Sequence, residues 1–216
     1  MIRFSGPEAP GWPARLEPSA ATAPDVVLRA LIRRDEAAWF DVRVANAEHL
    51  RPWDPTPPTP PGPRPTFAQY VRSLTTEAAA GRALPFAIEH AGAVVGQMHL
   101  FGIARASELS GSAGYWVSQA VGGRGIATWA LAMLIDHAFE PAGLHRVEVN
   151  VRPENTVSQA VVSRLGLREE GFRKRFLHID GQWRDHRSFA ITAEELSGQS
   201  MQSRLAAHPR WADGTS

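Results

Sequence analysis

The chain has 216 residues, 44% of them hydrophobic, with a formal net charge of +1 and no cysteine. That is enough apolar material for one core with at most some extra segments, and the near balance of charge gives no global reason to expect nucleic acid or an anionic membrane as partner. The missing cysteine excludes disulfides, thiolate metal sites and cysteine nucleophiles, and without a secretory apolar region or a membrane-length segment the expectation is a soluble cytoplasmic protein.

Residues 1–24 are rich in Pro, Ala and Gly and read as a loosely structured, variable arm. DVVLRALI (25–32) is apolar and partly β-branched, a strand, and the stretch after it, to Leu50, has helical spacing. Proline then recurs so often between Pro52 and Pro65 that neither helix nor paired strand can form, which leaves a stiff connector. TFAQYVRSLTTEAAAG predicts a helix capped by Thr66 and ended by Gly81. LPFAIEH and VVGQMHLFGIA predict two strands joined at HAGA (90–93), and SAGYWVS a third.

Next comes AVGGRGIAT (120–128), three glycines and an arginine opening a long apolar run with helical spacing from Ile126 to Ala138. A strand ending in a glycine-rich loop that opens a helix gathers backbone N–H groups around a concavity, with the helix dipole behind them, and so suits phosphate. Gly123 and Gly125 keep Cβ atoms out of the way, and Arg124 stands ready at the rim; an ordinary strand-to-helix turn has the same composition. No lysine followed by Ser or Thr completes a Walker loop, and Thr128 stands where a dinucleotide fingerprint needs its third glycine.

HRVEVNVRP alternates Val147, Val149 and Val151 with Arg146, Glu148, Asn150 and Arg152, a strand with one core face and one polar face. ENTVSQAVVSRLG reads as a helix ending at Gly166, and two further strands flank Asp180-Gly181, a hairpin signal. From Ser197 the chain is polar and reads as a mobile tail, and no internal repeat is visible. The predicted order implies an α/β (α+β) fold with a mixed sheet and helices on both faces.

Taken together, GGRGIA (122–127) and PENTVSQAVVSRLGLREEG resemble the GNAT N-acetyltransferases, whose pyrophosphate motif runs R/Q-x-x-G-x-G/A and whose second signature is N-x-x-S followed by L-G-F and E-G. Gly122 replaces the usual Arg or Gln, and Leu167 the phenylalanine. HLRPWDPTPP, GYWVS, GLHRVEVNVRPEN and DGQWRDH look most like the RimJ/RimL branch, the ribosomal-protein N-terminal alanine or serine acetyltransferases.

The resemblance implies a GNAT domain over residues 25–196, a mostly antiparallel sheet with a splay between its two central strands, and acetyl-coenzyme A as acyl donor. The pyrophosphate would sit on Gly122, Gly123, Arg124, Gly125, Ile126, Ala127 and Thr128. The pantetheine arm would lie between strands splayed after Val117, held by backbone near Trp116 and Val117, where a donor aimed at the developing oxyanion contributes on the order of 10²–10³-fold. Asn155 would bond the cofactor. Ser158 would serve the leaving thiolate, since the tyrosine that many relatives use is Val162 here; a serine that merely starts a helix fits the same position. Glu148 or Asn150, or water held by them, would relieve the amine of its proton, although Glu148 equally fits a salt-bridged surface acid. Trp53, Tyr115, Trp183 and Asp185 would line the acceptor side.

The acceptor that the resemblance implies is the N-terminal α-amine of a protein, a ribosomal one where the branch resemblance holds, with a monomer or homodimer as the working form. An α-amine, pKa about 8, deprotonates far more easily than a lysine at roughly 10.4. The competing readings are a GNAT enzyme for a polyamine, antibiotic or lysine, and a ribosome- or RNA-binding module built on Arg168, Arg173, Lys174, Arg175, Arg184 and Arg187, which interleaved acids dilute. The eight histidines include no close ligand pair, so no metal is inferred.

Overall fold

A computed structural model of the chain describes residues 10–59, 62 and 65–209. The first residues of the arm, part of the proline run and the last residues of the tail lie outside the described residues.

The elements in order are β1 (Arg15–Leu16), β2 (Val26–Ala30), α1 (Glu36–Ala45), α2 (Ala47–Leu50), α3 (Phe67–Ala79), β3 (Leu84–His90), β4 (Ala93–Ala104), β5 (Ser110–Val117), α4 (Ile126–Phe139), β6 (Arg146–Val151), α5 (Thr156–Arg164), β7 (Arg168–Ile179), β8 (Gln182–Thr192) and α6 (Met201–Ala206). The eight strands form one sheet ordered β1-β2-β3-β4-β5-β6-β8-β7, antiparallel except for β5 beside β6. That parallel pair needs a crossover, which α4 supplies.

Helix α4 is apolar all round and accordingly buried, with Trp129, Leu131, Leu134 and Ile135 wholly enclosed. It packs on one face of the sheet with α5 and α6 against it, while α1 and α3 cover β4 and β3 on the other. The second face has its own small core of Leu31, Phe67, Val71 and Ala87, with Trp39, Tyr70 and Leu74 around it. Several local signals act as the residue types require. Thr66 and Gln69 form a reciprocal capping box at the start of α3, and the β3–β4 turn places both Ala91 and Gly92 at positive φ.

Three expectations are corrected. The arm is not loose where it is described: Arg15 and Leu16 pair with Arg29 and Leu28, and the Trp12 ring meets Phe86 edge-on at 5.4 Å. Its few apolar side chains pack without needing regular structure. The tail carries α6, because Met201 and Leu205, four apart, share a face and are buried against α4. The single helix expected up to Leu50 breaks at Asn46, whose amide donates to the carbonyl of Val42 at 2.8 Å and to Ser118 Oγ at 3.1 Å.

Candidate active site

The splay is earlier than expected. The last parallel pair is Ala113 with Val149, so β5 from Gly114 to Val117 pairs with β4 on one side and has no β6 partner on the other. A cleft of about 1690 Å³ runs through this opening and is lined from both faces of the sheet. Sites for one drug-sized ligand span about 300–1,000 Å³, so this volume accommodates a long cofactor and an acceptor together.

On the α4 side the strand ends in a short 3₁₀ turn, Gln119–Val121, and the glycine loop follows. Asn46, reaching across from the break between α1 and α2, accepts the Gln119 N–H at 2.8 Å and so pins this loop from the opposite face. Gly123 (φ +77°) and Gly125 (φ +78°) both occupy the left-handed region, where side chains are disfavoured. Gly125 is the residue before α4 and, having no side chain, cannot cap it; the N–H groups of Ile126, Ala127 and Thr128 have no carbonyl within the helix to bond. These residues, with Gly122 and Gly123, line the cleft, whereas Arg124 is exposed and does not. A pyrophosphate fits this cradle because its oxygens find N–H donors at a helix N-terminus.

Helix α5 presents its first turn to the same cleft. Asn155 Oδ1 accepts the Ser158 N–H at 3.0 Å, an N-cap that holds the side chain at the cleft with its amide N–H₂ able to donate to a ligand. Ser158 also lines the cleft, and Val162 is core. Tyr115 is corrected: alternation along β5 sends it to the α5 side, against Ser158, and away from Trp116, which faces α1.

The other side of the cleft is aromatic, with one buried polar cluster that the sequence reading missed. Gln97, 3% exposed, accepts Trp39 Nε1–H at 2.9 Å and Trp116 Nε1–H at 3.3 Å, and exchanges hydrogen bonds with Tyr70 Oη. An indole N–H only donates, which fixes the Gln97 oxygen there and turns its nitrogen to His99 Nε2, 3.1 Å away. His99 Nε2 therefore accepts, the ring proton sits on Nδ1, and burial pulls this imidazole down to about 4. The readable signal was two polar residues, two apart, inside the apolar run VVGQMHL. Nitrogen-15 NMR should show the neutral Nδ1–H form with no ring titration between about pH 5 and 8; a titration near the ordinary value of about 6.5 would refute the arrangement.

Near the mouth, the Arg43 guanidinium stacks on Trp116 (5.0 Å) and reaches Asp54 at 2.5 Å, while Arg152 stacks on Trp53 (5.3 Å). Trp53 lines the cleft as expected. Trp183 does not; it is 54% exposed on the terminal hairpin with its ring against His178. Asp185 is likewise absent from the lining and accepts the Arg175 N–H at 2.7 Å. Glu148 also lies outside the lining: Arg173 and the Asn150 amide donate to one oxygen at 2.8 Å each, and Arg146 to the other at 3.3 Å. It matches the salt-bridged alternative. Asn150 lines the cleft, its oxygen accepting Ser188 Oγ–H at 2.6 Å.

Comparisons with known proteins bear on this site. The family model described as "Acetyltransferase (GNAT) domain" matches residues 25–168. A solved structure of Mycobacterium smegmatis RimJ in complex with CoA-disulfide shares 45% identity, covers 92% of this chain and 96% of its own, and superposes with a TM-score of 0.85. The [ribosomal protein uS5]-alanine N-acetyltransferase of Escherichia coli (strain K12) is 26% identical over 187 residues, 86% of this chain and 96% of that enzyme. The probable N-acetyltransferase YjcK of Bacillus subtilis (strain 168) is 36% identical over 98 residues, about half of its length (54%). By sequence and by fold, the chain belongs to the GNAT acetyltransferases.

Proposed function

We propose that the chain transfers acetyl from acetyl-coenzyme A to the N-terminal α-amine of a protein beginning with alanine or serine, a ribosomal protein being the acceptor class that its relatives' names support. On this reading it works in the cytoplasm. Acetyl-coenzyme A supplies the acetyl group as a thioester, and the chain binds, orients and shields it. The α4 N-terminus and the glycine turn would hold the pyrophosphate; the unpaired edge of β5 from Gly114 to Val117 would hold the pantetheine amides.

The observation that carries the acceptor assignment is the scarcity of negative charge. Among the described residues the carboxylates lining the cleft are Glu48 and Asp54, and Asp54 is bonded to Arg43. A polyamine or cationic drug would lack compensating charge there, whereas an α-amine needs only a weak base to become neutral. With Glu148 tied to two arginines, water held at Asn150 is the proton's exit. A nucleic-acid role is disfavoured because Arg168, Arg173 and Arg187 are each bonded to glutamate.

Mass spectrometry of acetyl transfer to peptides beginning with Ala, Ser, Thr or Met, beside internal-lysine peptides and a polyamine, tests the proposal. Transfer confined to the α-amines of the Ala and Ser peptides is expected. Modification only of lysine or polyamine overturns the acceptor assignment.

A further inference from the structure

The Tyr115 hydroxyl is not accounted for by packing. It is buried without a hydrogen-bond partner, whereas a buried phenol ordinarily finds one. It lies against Ser158, short of hydrogen-bond geometry, and both residues line the cleft. The Ser158 N–H is already given to Asn155, which fixes the serine on the first turn of α5 and leaves its hydroxyl to rotate. A costly unpaired group beside a rotatable one, at the edge of the splay, is what remains when the third member of a chain has yet to arrive.

We infer that Tyr115 is a positioning residue for the leaving group, its hydroxyl donating to Ser158 Oγ while the Ser158 hydroxyl donates to the departing sulfur. This rests on the acetyl-transfer reading above. As the amine nitrogen forms the C–N bond, the C–S bond breaks and its electron pair goes to sulfur; the nitrogen's proton goes to water. No proton has to leave either hydroxyl, because both are weaker acids than a thiol and act as donors only. Burial pushes the Tyr115 phenol up to about 12, with Ser158 opposing, so it keeps its proton throughout the working range. Two aligned donors in a water-poor site stabilise a thiolate more than either does alone.

The ultraviolet thiolate absorbance of coenzyme A bound to the full chain, followed against pH, tests this without turnover. The bound thiol is expected to ionise at lower pH than free coenzyme A, and Ser158→Ala and Tyr115→Phe each to move that ionisation back up by about one unit. In peptide transfer Tyr115→Phe is expected to lower kcat about tenfold with little change in the KM for acetyl-coenzyme A. Its melting temperature should not fall, since the lost hydroxyl had no partner in the free protein. An unchanged thiol ionisation in Tyr115→Phe, or an unchanged kcat, overturns the inference. A shifted thiol with no transfer to any peptide would instead refute the N-terminal acceptor while upholding the Tyr115–Ser158 pair.

Discussion

Replacing Gly125 by valine is expected to raise the KM for acetyl-coenzyme A about 10²-fold, equivalent to about 2.7 kcal/mol of binding, in a protein that remains folded. Gly125 sits at φ +78° immediately before α4. A β-branched residue is strongly disfavoured there, so the chain relieves the strain by rotating out of the left-handed region. That rotation turns the N–H groups of Ile126, Ala127 and Thr128 away from the cleft they now line. Helix α4 itself survives, because its stability comes from burial along its whole length and not from its first turn. Gly125→Ala should show a smaller rise. Gly143→Ala, at φ +63° beyond the far end of α4 with open space around it, should leave KM unchanged while costing about 1 kcal/mol of stability. Steady-state kinetics with calorimetric titration of coenzyme A decides the matter: wild-type affinity in Gly125→Val would mean that the cradle is elsewhere.

The second large effect concerns stability. Phe86→Ala should cost about 3–5 kcal/mol, with the melting temperature lower by roughly 6–20 °C. Phe86 is wholly buried on β3, and its ring is touched edge-on by Trp12 at 5.4 Å and by His137 at 5.9 Å. Truncation leaves a void between sheet, arm and α4 that none of the three can close alone, so the arm should also become open to protease. Phe172→Ala is the control: Phe172 is 52% exposed on the edge strand, and its removal should change stability by under about 0.5 kcal/mol. Urea unfolding of the two variants side by side gives the comparison, and similar costs would show that the arm does not depend on this contact.

What the sequence revealed and what it hid divide along a physical line. Local chemistry was legible. The Asp180-Gly181 hairpin, the Thr66 cap and the valine alternation of β6 each depend on a few consecutive residues, and all three are present. The glycine loop was legible too, though the reason for its glycines is backbone sign as much as space. Long-range effects were hidden. Nothing near Asn46 announces that its side chain will leave the helix to hold Gln119, 73 positions away. Glu148 has the alternation of a cleft residue, and only the fold brings Arg173 onto it. The splay begins at Gly114, four residues earlier than the motif implied, and the side that Tyr115 takes follows from alternation along β5, which sets it against Ser158. Trp12 and the pair Met201 and Leu205 were too few to register as core in segments dominated by Pro, Gly and polar residues.

Helix α4 is clasped at one end by both flanking segments. His137 Nε2 bonds the Gly11 carbonyl at 2.6 Å, Asp136 accepts the Met201 N–H at 2.5 Å, and the two segments meet where the Ser19 N–H reaches Gln202 at 2.9 Å. During synthesis on the ribosome, therefore, the most apolar helix of the protein leaves the exit tunnel more than sixty residues before its last cover is made. At about 5–20 residues per second that interval lasts several seconds, long against the collapse of a chain this size. The enzyme passes through its own translation with the α6-facing side of its most apolar helix uncovered, and its yield in a cell depends on what shields that side during the wait.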